Sequence, residues 1–247
     1  MAEKHWQRYE RQMVMAGIGE EGQQKLSQAR VLVIGAGGLG SPALYYLCGA
    51  GVGNITIVDA DVVSESNLNR QILHGQEDVG KPKVISAQEM LNGLNPHVNI
   101  IPKQMLLAPE NIQDTLMGMD LVVDCVDNAE TRYMVNAACV GQNIPLVEAG
   151  VQGFDGYVLP IYPHKTACFQ CVYPTMGKNK EGPIPILGAT AGAIGAMQAA
   201  TAIRMLVGLP VAAGKLSLFT LGNLMGTQLE VDRRADCPIC GGAIRPE

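Results

Sequence analysis

The amino-acid sequence predicts an α/β fold, a doubly wound parallel sheet that antiparallel strands extend at one edge. Over residues 1–150, short apolar runs alternate with helical stretches, which is typical of a parallel sheet covered on both faces. After Gly150, extended segments with turn residues replace that alternation. We expect the 247 residues to form one continuous domain with two halves, 1–150 and 151–247.

The first half contains five predicted strands, each a short apolar run bounded by polar residues, glycine or proline. They cover residues 30–35, 54–59, 98–101, 121–125 and 145–148. The first helix has strong start signals, because Ser41 is a good N-cap and Pro42 suits the first turn. Helices are expected over residues 41–50, 83–94 and 131–141.

The second half is predicted to hold extended segments at 154–162 and 216–232, with turns at Asp155-Gly156 and Gly222-Asn223. Between them lies an apolar stretch, 189–208, whose 20 residues are enough to span a membrane. However, this stretch contains Gln198 and Arg204 and is rich in alanine and glycine, which favours close helix packing. We therefore expect a buried helix and no membrane span.

The composition excludes several classes of protein. Hydrophobic residues make up 47% of the chain and charged residues 17%, which excludes a disordered chain. The formal net charge is −5 and basic residues do not cluster, so we expect no nucleic-acid partner. The polar N-terminus predicts no secretory signal, and an odd number of cysteines, seven, favours a reducing cytoplasm.

A glycine-rich turn between the first strand and the first helix predicts a nucleotide site. Gly35, Gly37 and Gly40 have the G-x-G-x-x-G spacing of a Rossmann-like turn. Glycines let the backbone approach a phosphate, near a helix N-terminus that favours anions. Asp59 ends the second strand, 19 residues after Gly40, where its carboxylate can accept hydrogen bonds from ribose hydroxyls. This pattern does not separate NAD from ATP.

Two cations and a carboxylate favour a triphosphate in that site. Arg70 and Lys83 follow the second strand, so they can reach the same pocket beyond Asp59. Two added positive charges suit the about three to four negative charges of a triphosphate and stabilise a leaving pyrophosphate. Asp127 ends the fourth strand, at the edge where open α/β sheets bind ligands, and its carboxylate suits Mg²⁺.

Two Cys-x-x-Cys pairs predict a C-terminal structural zinc site. Each pair supplies two thiolates, and four thiolates complete a closed tetrahedral site for Zn²⁺. We expect this site to clamp the C-terminal segment to the chain beyond the fifth strand, so that the second half bears the zinc. The expected ligands are Cys168, Cys171, Cys237 and Cys240. The remaining cysteines are expected to be buried small side chains: Cys48, Cys125 and Cys139.

Six motifs occur in order along nearly the whole chain, from about Arg8 to Cys240. They are RYxRQ, GAGGLG, the pair Asp59 and Asp61, SNLNRQ, VGKPK and DCVDN. Together they resemble the ThiF/HesA/MoeB family of ubiquitin-activating-enzyme-like adenylyltransferases, and most of all its molybdopterin-synthase and sulfur-carrier branch. The resemblance implies a homodimer that uses ATP and Mg²⁺ to adenylate the C-terminal glycine of a small β-grasp sulfur carrier ending in Gly-Gly.

The resemblance also implies roles for individual residues. Arg11 would contact the triphosphate across the dimer, Gly38 and Asp59 would hold the adenosine, and Asp127 would hold the metal. Asp61 and Asn128 would lie in the same nucleotide site. The phosphates would be bound by Ser66, Asn67, Leu68, Asn69, Arg70 and Lys83.

The sequence departs from much of that family in the segment before the last long helix. Several relatives carry a cysteine there that attaches the carrier covalently, whereas residues 182–188 contain no thiol. We therefore expect adenylation without a relay cysteine, with sulfur supplied by a separate persulfide-bearing partner. The glycine- and proline-rich stretch 176–188 could form a lid or a channel for the carrier tail.

Three alternatives stay open at this point. The first is an NAD(P)-dependent oxidoreductase, and the second is a non-catalytic nucleotide-binding scaffold of a sulfur-transfer pathway. The third keeps the chemistry but adenylates a small-molecule or RNA-linked carboxylate. The sequence shows no Ser-His-Asp arrangement, and the scattered histidines are interpreted as surface or packing residues: His5, His74, His97 and His164.

Overall fold

One eight-stranded sheet runs through the part of the chain that the computed structural model describes, residues 6–175, 182 and 184–241. In chain order the strands are β1 (Arg30–Ile34), β2 (Asn54–Val58), β3 (Asn99–Lys103), β4 (Leu121–Asp124), β5 (Leu146–Gln152), β6 (Asp155–Ile161), β7 (Lys215–Thr220) and β8 (Met225–Glu230). Their order across the sheet is β3-β2-β1-β4-β5-β6-β7-β8.

The α-helices of the described residues cover the sheet or lie at its ends. They are α1 (Glu10–Met13), α2 (Gly19–Gln28), α3 (Gly40–Gly49), α4 (Lys83–Leu94), α5 (Ile112–Leu116), α6 (Ala129–Gly141), α7 (Phe169–Val172) and α8 (Gly188–Val207). Short 3₁₀ turns lie at Gln7–Tyr9, Glu65–Asn67 and Gln76–Asp78.

The parallel part of the sheet is buried on both faces, as the sequence predicts. Strands β1 to β5 pair in parallel, and alternate residues of β1 enter two separate hydrophobic cores. Val31 and Val33 pack with α3, α4 and α8, whereas Leu32 and Ile34 pack with α5 and α6. Because helices cover both faces, the predicted doubly wound arrangement is confirmed.

The predicted antiparallel extension is also confirmed, with three differences. Strand β5 continues to Gln152, and the turn into antiparallel β6 lies at residues 153 and 154, so the expected turn at Asp155-Gly156 is wrong. The segment 216–232 divides into β7 and β8 around the predicted turn at Gly222-Asn223. Helix α2 was not expected from the sequence, because its only buried large apolar side chain is Leu26.

Helix α8 is the buried packing helix that the sequence predicts. Its small residues let it approach α3 closely: a Cβ on Gly195 would lie 2.4 Å from the carbonyl oxygen of Leu39. The buried amide of Gln198 donates hydrogen bonds to the carbonyls of Asp124 (2.6 Å) and Val147 (3.0 Å). Among the described helices, none combines the length and hydropathy that a membrane span requires.

The close approach at Gly195 predicts opposite effects for two alanine substitutions on α8. Gly195→Ala should lower the free energy of unfolding by about 1–3 kcal/mol, because the added methyl overlaps backbone and side-chain atoms of the neighbouring helix start. Gly192→Ala is the matched control, because nothing lies within 4 Å of the added Cβ. It should raise stability by up to about 1 kcal/mol through helix propensity. Urea denaturation measures both, and an equal response would contradict the packing described here.

Candidate nucleotide site

The glycine-rich turn is packed so tightly that two of its glycines are required by the protein itself. Gly35 has φ +95°, and a Cβ there would lie 2.8 Å from the carbonyl oxygen of Cys125. A Cβ on Gly40 would lie 2.0 Å from the carbonyl oxygen of Gly35. The turn therefore closes on itself and against the loop after β4. Gly37 and Gly38 instead lie beside the side chains of the segment after β2.

Both backbone polar groups of Ala36, inside this turn, are bound by side chains. Its N–H donates to Asp59 Oδ2 at 2.8 Å, and its carbonyl lies 3.0 Å from His74 Nε2. Since a carbonyl only accepts, we assign the Nε2 proton to His74, whose Nδ1 then accepts from the Ser86 hydroxyl at 2.8 Å. Burial lowers the pKa of His74, which favours this neutral form.

Asp59 thus holds the glycine turn in addition to any role toward a ribose. Its Oδ1 accepts from the Asp61 N–H at 2.8 Å, so each carboxylate oxygen already has a backbone donor. Each oxygen keeps a further lone pair that a hydroxyl could use. The contribution of His74 was missed by sequence analysis, because nothing in the sequence links it to Ala36, 38 residues away.

The segment after β2 brings Arg70 beside the glycine turn. A Cβ on Gly38 would lie 3.6 Å from Arg70 Cγ. The Arg70 guanidinium donates to the carbonyl of Ser66 and to the side-chain amide oxygen of Asn69, both at 3.0 Å. Asn67 and Ser64 form a capping box that fixes the turn containing Ser66, and partly buried Leu68 follows it.

Lys83 and Asp61 lie together in an ion pair. Lys83 Nζ is 2.8 Å from Asp61 Oδ2, and the lysine side chain is only 7% exposed, against 70% for the aspartate. The Lys83 N–H also donates to the Asp61 carbonyl at 3.0 Å. Lys83 is therefore already paired, whereas Arg70 bonds only to neutral oxygens.

The loop after β4 lies against the glycine turn and carries Asp127. The contact is made by the Cys125 carbonyl at Gly35. Asp127 is exposed, and next to it Asn128 caps helix α6 by accepting a hydrogen bond from the Thr131 N–H at 2.9 Å. The structure thus brings the metal candidate to the same edge of the sheet as Arg70.

Arg11 is the one predicted site residue that the structure does not bring to this edge. It is exposed on α1, and the neighbouring Gln12 donates to the Ala50 carbonyl at 2.9 Å, beyond the far end of α3. Helix α3 has 10 residues, so about 15 Å separates that end from the glycine turn.

A buried cluster of Asp124, Arg132, Glu148 and Tyr157 underlies the loop after β4. Arg132 forms an ion pair with Glu148, and Tyr157 donates to the same Glu148 oxygen at 3.1 Å. Burial raises the pKa of Glu148 well above its usual range, Arg132 opposes this shift, and the nearby Asp124 carboxylate adds to it. The sequence gave no signal for this cluster, because it joins strands and a helix far apart in the chain.

The four cysteines of the two Cys-x-x-Cys pairs meet in one buried group. Their sulfur atoms all lie within 4.8 Å of one another. Individual Sγ–Sγ distances are 3.9 Å (Cys168–Cys171), 3.7 Å (Cys168–Cys237) and 3.3 Å (Cys171–Cys240). A tetrahedral zinc with Zn–S bonds of about 2.3 Å separates its sulfurs by about 3.8 Å, so the donor set and spacing fit.

The electrostatics of this group differ among the thiols. Burial raises the pKa of Cys168 and of Cys171. At Cys237 burial also opposes ionisation, but backbone N–H groups of Cys240 and Ile239 outweigh it and lower the pKa to about 7. Cys48, Cys125 and Cys139 lie apart from this group and are buried, as expected.

Comparisons with known proteins agree with this geometry. A family model described as the ThiF family matches residues 9–239. A sulfur carrier protein ThiS adenylyltransferase of Escherichia coli K12 is 39% identical over 246 residues, with 98% of each chain covered. A molybdopterin-synthase adenylyltransferase of the same organism is 36% identical over 245 residues, again with 98% of each chain covered.

The fold is shared with a solved structure at lower sequence identity. The crystal structure of E. coli MccB with succinimide has a TM-score of 0.84 at 23% identity, over 95% of this chain and 74% of that chain. The family match and the full-length relatives agree with the motifs that the structure gathers at one edge of the sheet, and the chain therefore belongs to the ThiF family.

Proposed function

We propose that the protein catalyses ATP-dependent adenylation of the C-terminal glycine carboxylate of a small β-grasp sulfur carrier, with release of pyrophosphate. The observation that carries this proposal is the position of Arg70, an unneutralised cation beside Gly38 in the nucleotide turn. Two full-length relatives are named as adenylyltransferases, one of them for the sulfur carrier ThiS. The carrier of this chain and its pathway, thiamine or molybdopterin, are not distinguished by relatives of 39% and 36% identity.

The reaction needs alignment and charge neutralisation more than acid–base catalysis. A glycine carboxylate is ionised at neutral pH, so its oxygen attacks the α-phosphorus directly. A carboxylate-oxygen–phosphorus bond forms, the bond from the α-phosphorus to the bridging oxygen breaks, and pyrophosphate leaves with that electron pair. Arg70 and Lys83 would neutralise the charge that develops on the leaving group. Asp127 would hold Mg²⁺, which supplies further charge neutralisation when bound.

The arrangement of the thiols supports adenylation without a relay cysteine. The three cysteines outside the cluster are at most 7% exposed, and burial raises the pKa of each. None is therefore a reachable thiolate for attaching a carrier. We propose that sulfur comes from a separate persulfide-bearing partner. The proposed lid or tail channel at 176–188 lies mostly outside the described residues.

An NAD(P)-dependent oxidoreductase is disfavoured by the same site. It would leave Arg70 and the paired Asp61 and Lys83 without a common purpose, and it has no counterpart among the full-length relatives reported above. A non-catalytic scaffold and the adenylation of another carboxylate both predict no pyrophosphate exchange with a Gly-Gly carrier, which the first experiment below measures.

We propose a homodimer in which Arg11 completes the partner's site. Arg11 lies on the far side of α3 from its own glycine turn and is exposed, which supports action on a second copy. We further propose that both halves work as one domain in the cytoplasm. The continuous eight-stranded sheet supports one domain, and seven free thiols support a reducing compartment.

We propose one structural Zn²⁺ per chain, held by Cys168, Cys171, Cys237 and Cys240. The four buried sulfurs have the spacing of a closed tetrahedral site. Such a site would join the segment after β6 to the segment after β8, so its contribution is to stability rather than to chemistry.

Arg70→Ala should reduce carrier-dependent ATP–pyrophosphate exchange by about 10²–10³-fold, because losing a contact made to the transition state costs about 2.7–4 kcal/mol. Arg30→Ala is the matched control, since Arg30 begins β1 at the opposite edge of the sheet. It should exchange like the wild type. Exchange that survives in Arg70→Ala would mean that this side chain does not serve the phosphates.

Mixing two inactive variants tests the proposed role of Arg11. Arg11→Ala and Arg70→Ala should each be inactive alone. In a mixed dimer, one site receives an intact Arg70 and an intact partner Arg11, so an equimolar mixture should regain about a quarter of wild-type exchange. Mixing after chemical crosslinking of each homodimer is the control and should restore nothing. No recovery in freely exchanging mixtures would place Arg11 outside the partner's site.

Metal analysis by mass spectrometry should find about one zinc per chain in the purified wild type. Cys240→Ser should abolish zinc binding and lower the melting temperature, because one ligand of a closed site is lost. Cys139→Ala should keep the zinc, since Cys139 is a buried cysteine of α6 outside the cluster. A stable wild-type protein without zinc would refute the metal assignment.

A further inference from the structure

A buried polar cluster lies beneath the loop that carries Asp127, and none of the roles described above uses it. Asp124 and Glu148 are register partners on the parallel strands β4 and β5, and both are 0% exposed. Arg132, on α6, is 7% exposed and reaches between them and the loop. Charged groups are rarely buried in this number without a specific purpose.

The cluster binds both backbone polar groups of Val126, the residue before Asp127. Asp124 Oδ1 accepts from the Val126 N–H at 3.0 Å, and the Arg132 guanidinium donates to the Val126 carbonyl. Arg132 also donates to the Ala149 carbonyl at 2.5 Å, which ties the loop to β5. On the other side of Asp127, Asn128 is fixed as the cap of α6. Asp127 is therefore held between two anchored residues.

Two carboxyl oxygens of the cluster, Asp124 Oδ2 and Glu148 Oε2, are buried without a hydrogen-bond partner among the described residues. The other Glu148 oxygen accepts from Arg132 and from Tyr157. A single proton on Glu148 Oε2, donated to Asp124 Oδ2, satisfies both oxygens. The cluster then holds one carboxylate against one guanidinium, which suits full burial.

We propose that Arg132, Glu148 and Asp124 are positioning residues that hold Asp127 in the orientation that binds the metal of the nucleotide complex. This inference rests on the proposed function, because it assumes that Asp127 binds Mg²⁺. The three residues act through the backbone of Val126 and touch neither metal nor nucleotide.

The test measures ATP-dependent binding of Mn²⁺, in place of Mg²⁺, to the full chain by electron paramagnetic resonance. Arg132→Lys should weaken Mn²⁺ binding by about tenfold or more, because one ammonium group does not reproduce the fork that joins Glu148 to Val126. ATP binding in the presence of EDTA, followed by calorimetry, should stay at the wild-type level. Glu148→Gln is the matched variant: its amide offers the same acceptor and donor, so Mn²⁺ binding should be preserved.

The outcomes separate this inference from the proposed function. A folded Arg132→Lys with wild-type Mn²⁺ affinity would overturn the inference alone. So would equal weakening of metal-free ATP binding, since that indicates general damage to the fold. Weak Mn²⁺ binding by Glu148→Gln would overturn the shared-proton arrangement, and this variant keeps the inference testable if Arg132→Lys does not fold. A wild type without ATP-dependent Mn²⁺ binding would overturn both the inference and the proposed metal site.

Discussion

The site depends on fixing two backbone loops where the parallel strands end. At this edge the chain leaves the sheet, so its N–H and carbonyl groups need other partners. In each loop one residue has both groups bound by side chains: Ala36 by Asp59 and His74, and Val126 by Asp124 and Arg132. The loops are thereby ordered before any ligand arrives, so binding loses less conformational entropy.

Helix α8 connects this edge to the second half of the chain. Ala191 lies against Gly38, where an added Cβ would be 3.3 Å away, and Gly188 packs on the backbone of Asn69. The same helix holds the end of β4 through the hydrogen bond from Gln198 to the Asp124 carbonyl. A shift of α8 would therefore move the glycine turn, the segment around Arg70 and the metal loop together. Its small residues make this three-way contact sterically possible, which explains why the stretch is rich in alanine and glycine.

Local patterns in the sequence predicted most of the fold, because the buried strands and the glycine turn leave strong signals. The four zinc-ligand candidates were also predictable, since spacing alone pairs Cys168 with Cys171 and Cys237 with Cys240. What the sequence could not show are contacts between distant segments. His74 reaches Ala36, and Arg132 reaches Glu148 and Val126, only once the sheet order is known. Helix α2 escaped for a different reason, because it buries little apolar surface and so has a weak helical pattern.

The charge balance at this edge singles out one cation for the phosphates. Sequence analysis treated Lys83 and Arg70 as equivalent, but Lys83 is already paired with the Asp61 carboxylate at 2.8 Å. Arg132 is likewise committed to Glu148. Arg70 bonds to a carbonyl and an amide oxygen, which orient its guanidinium without cancelling its charge. Because an uncancelled, preoriented charge stabilises a developing anion most, Arg70 carries the larger share of the electrostatic stabilisation, and Lys83 contributes only as a phosphate displaces or shares Asp61.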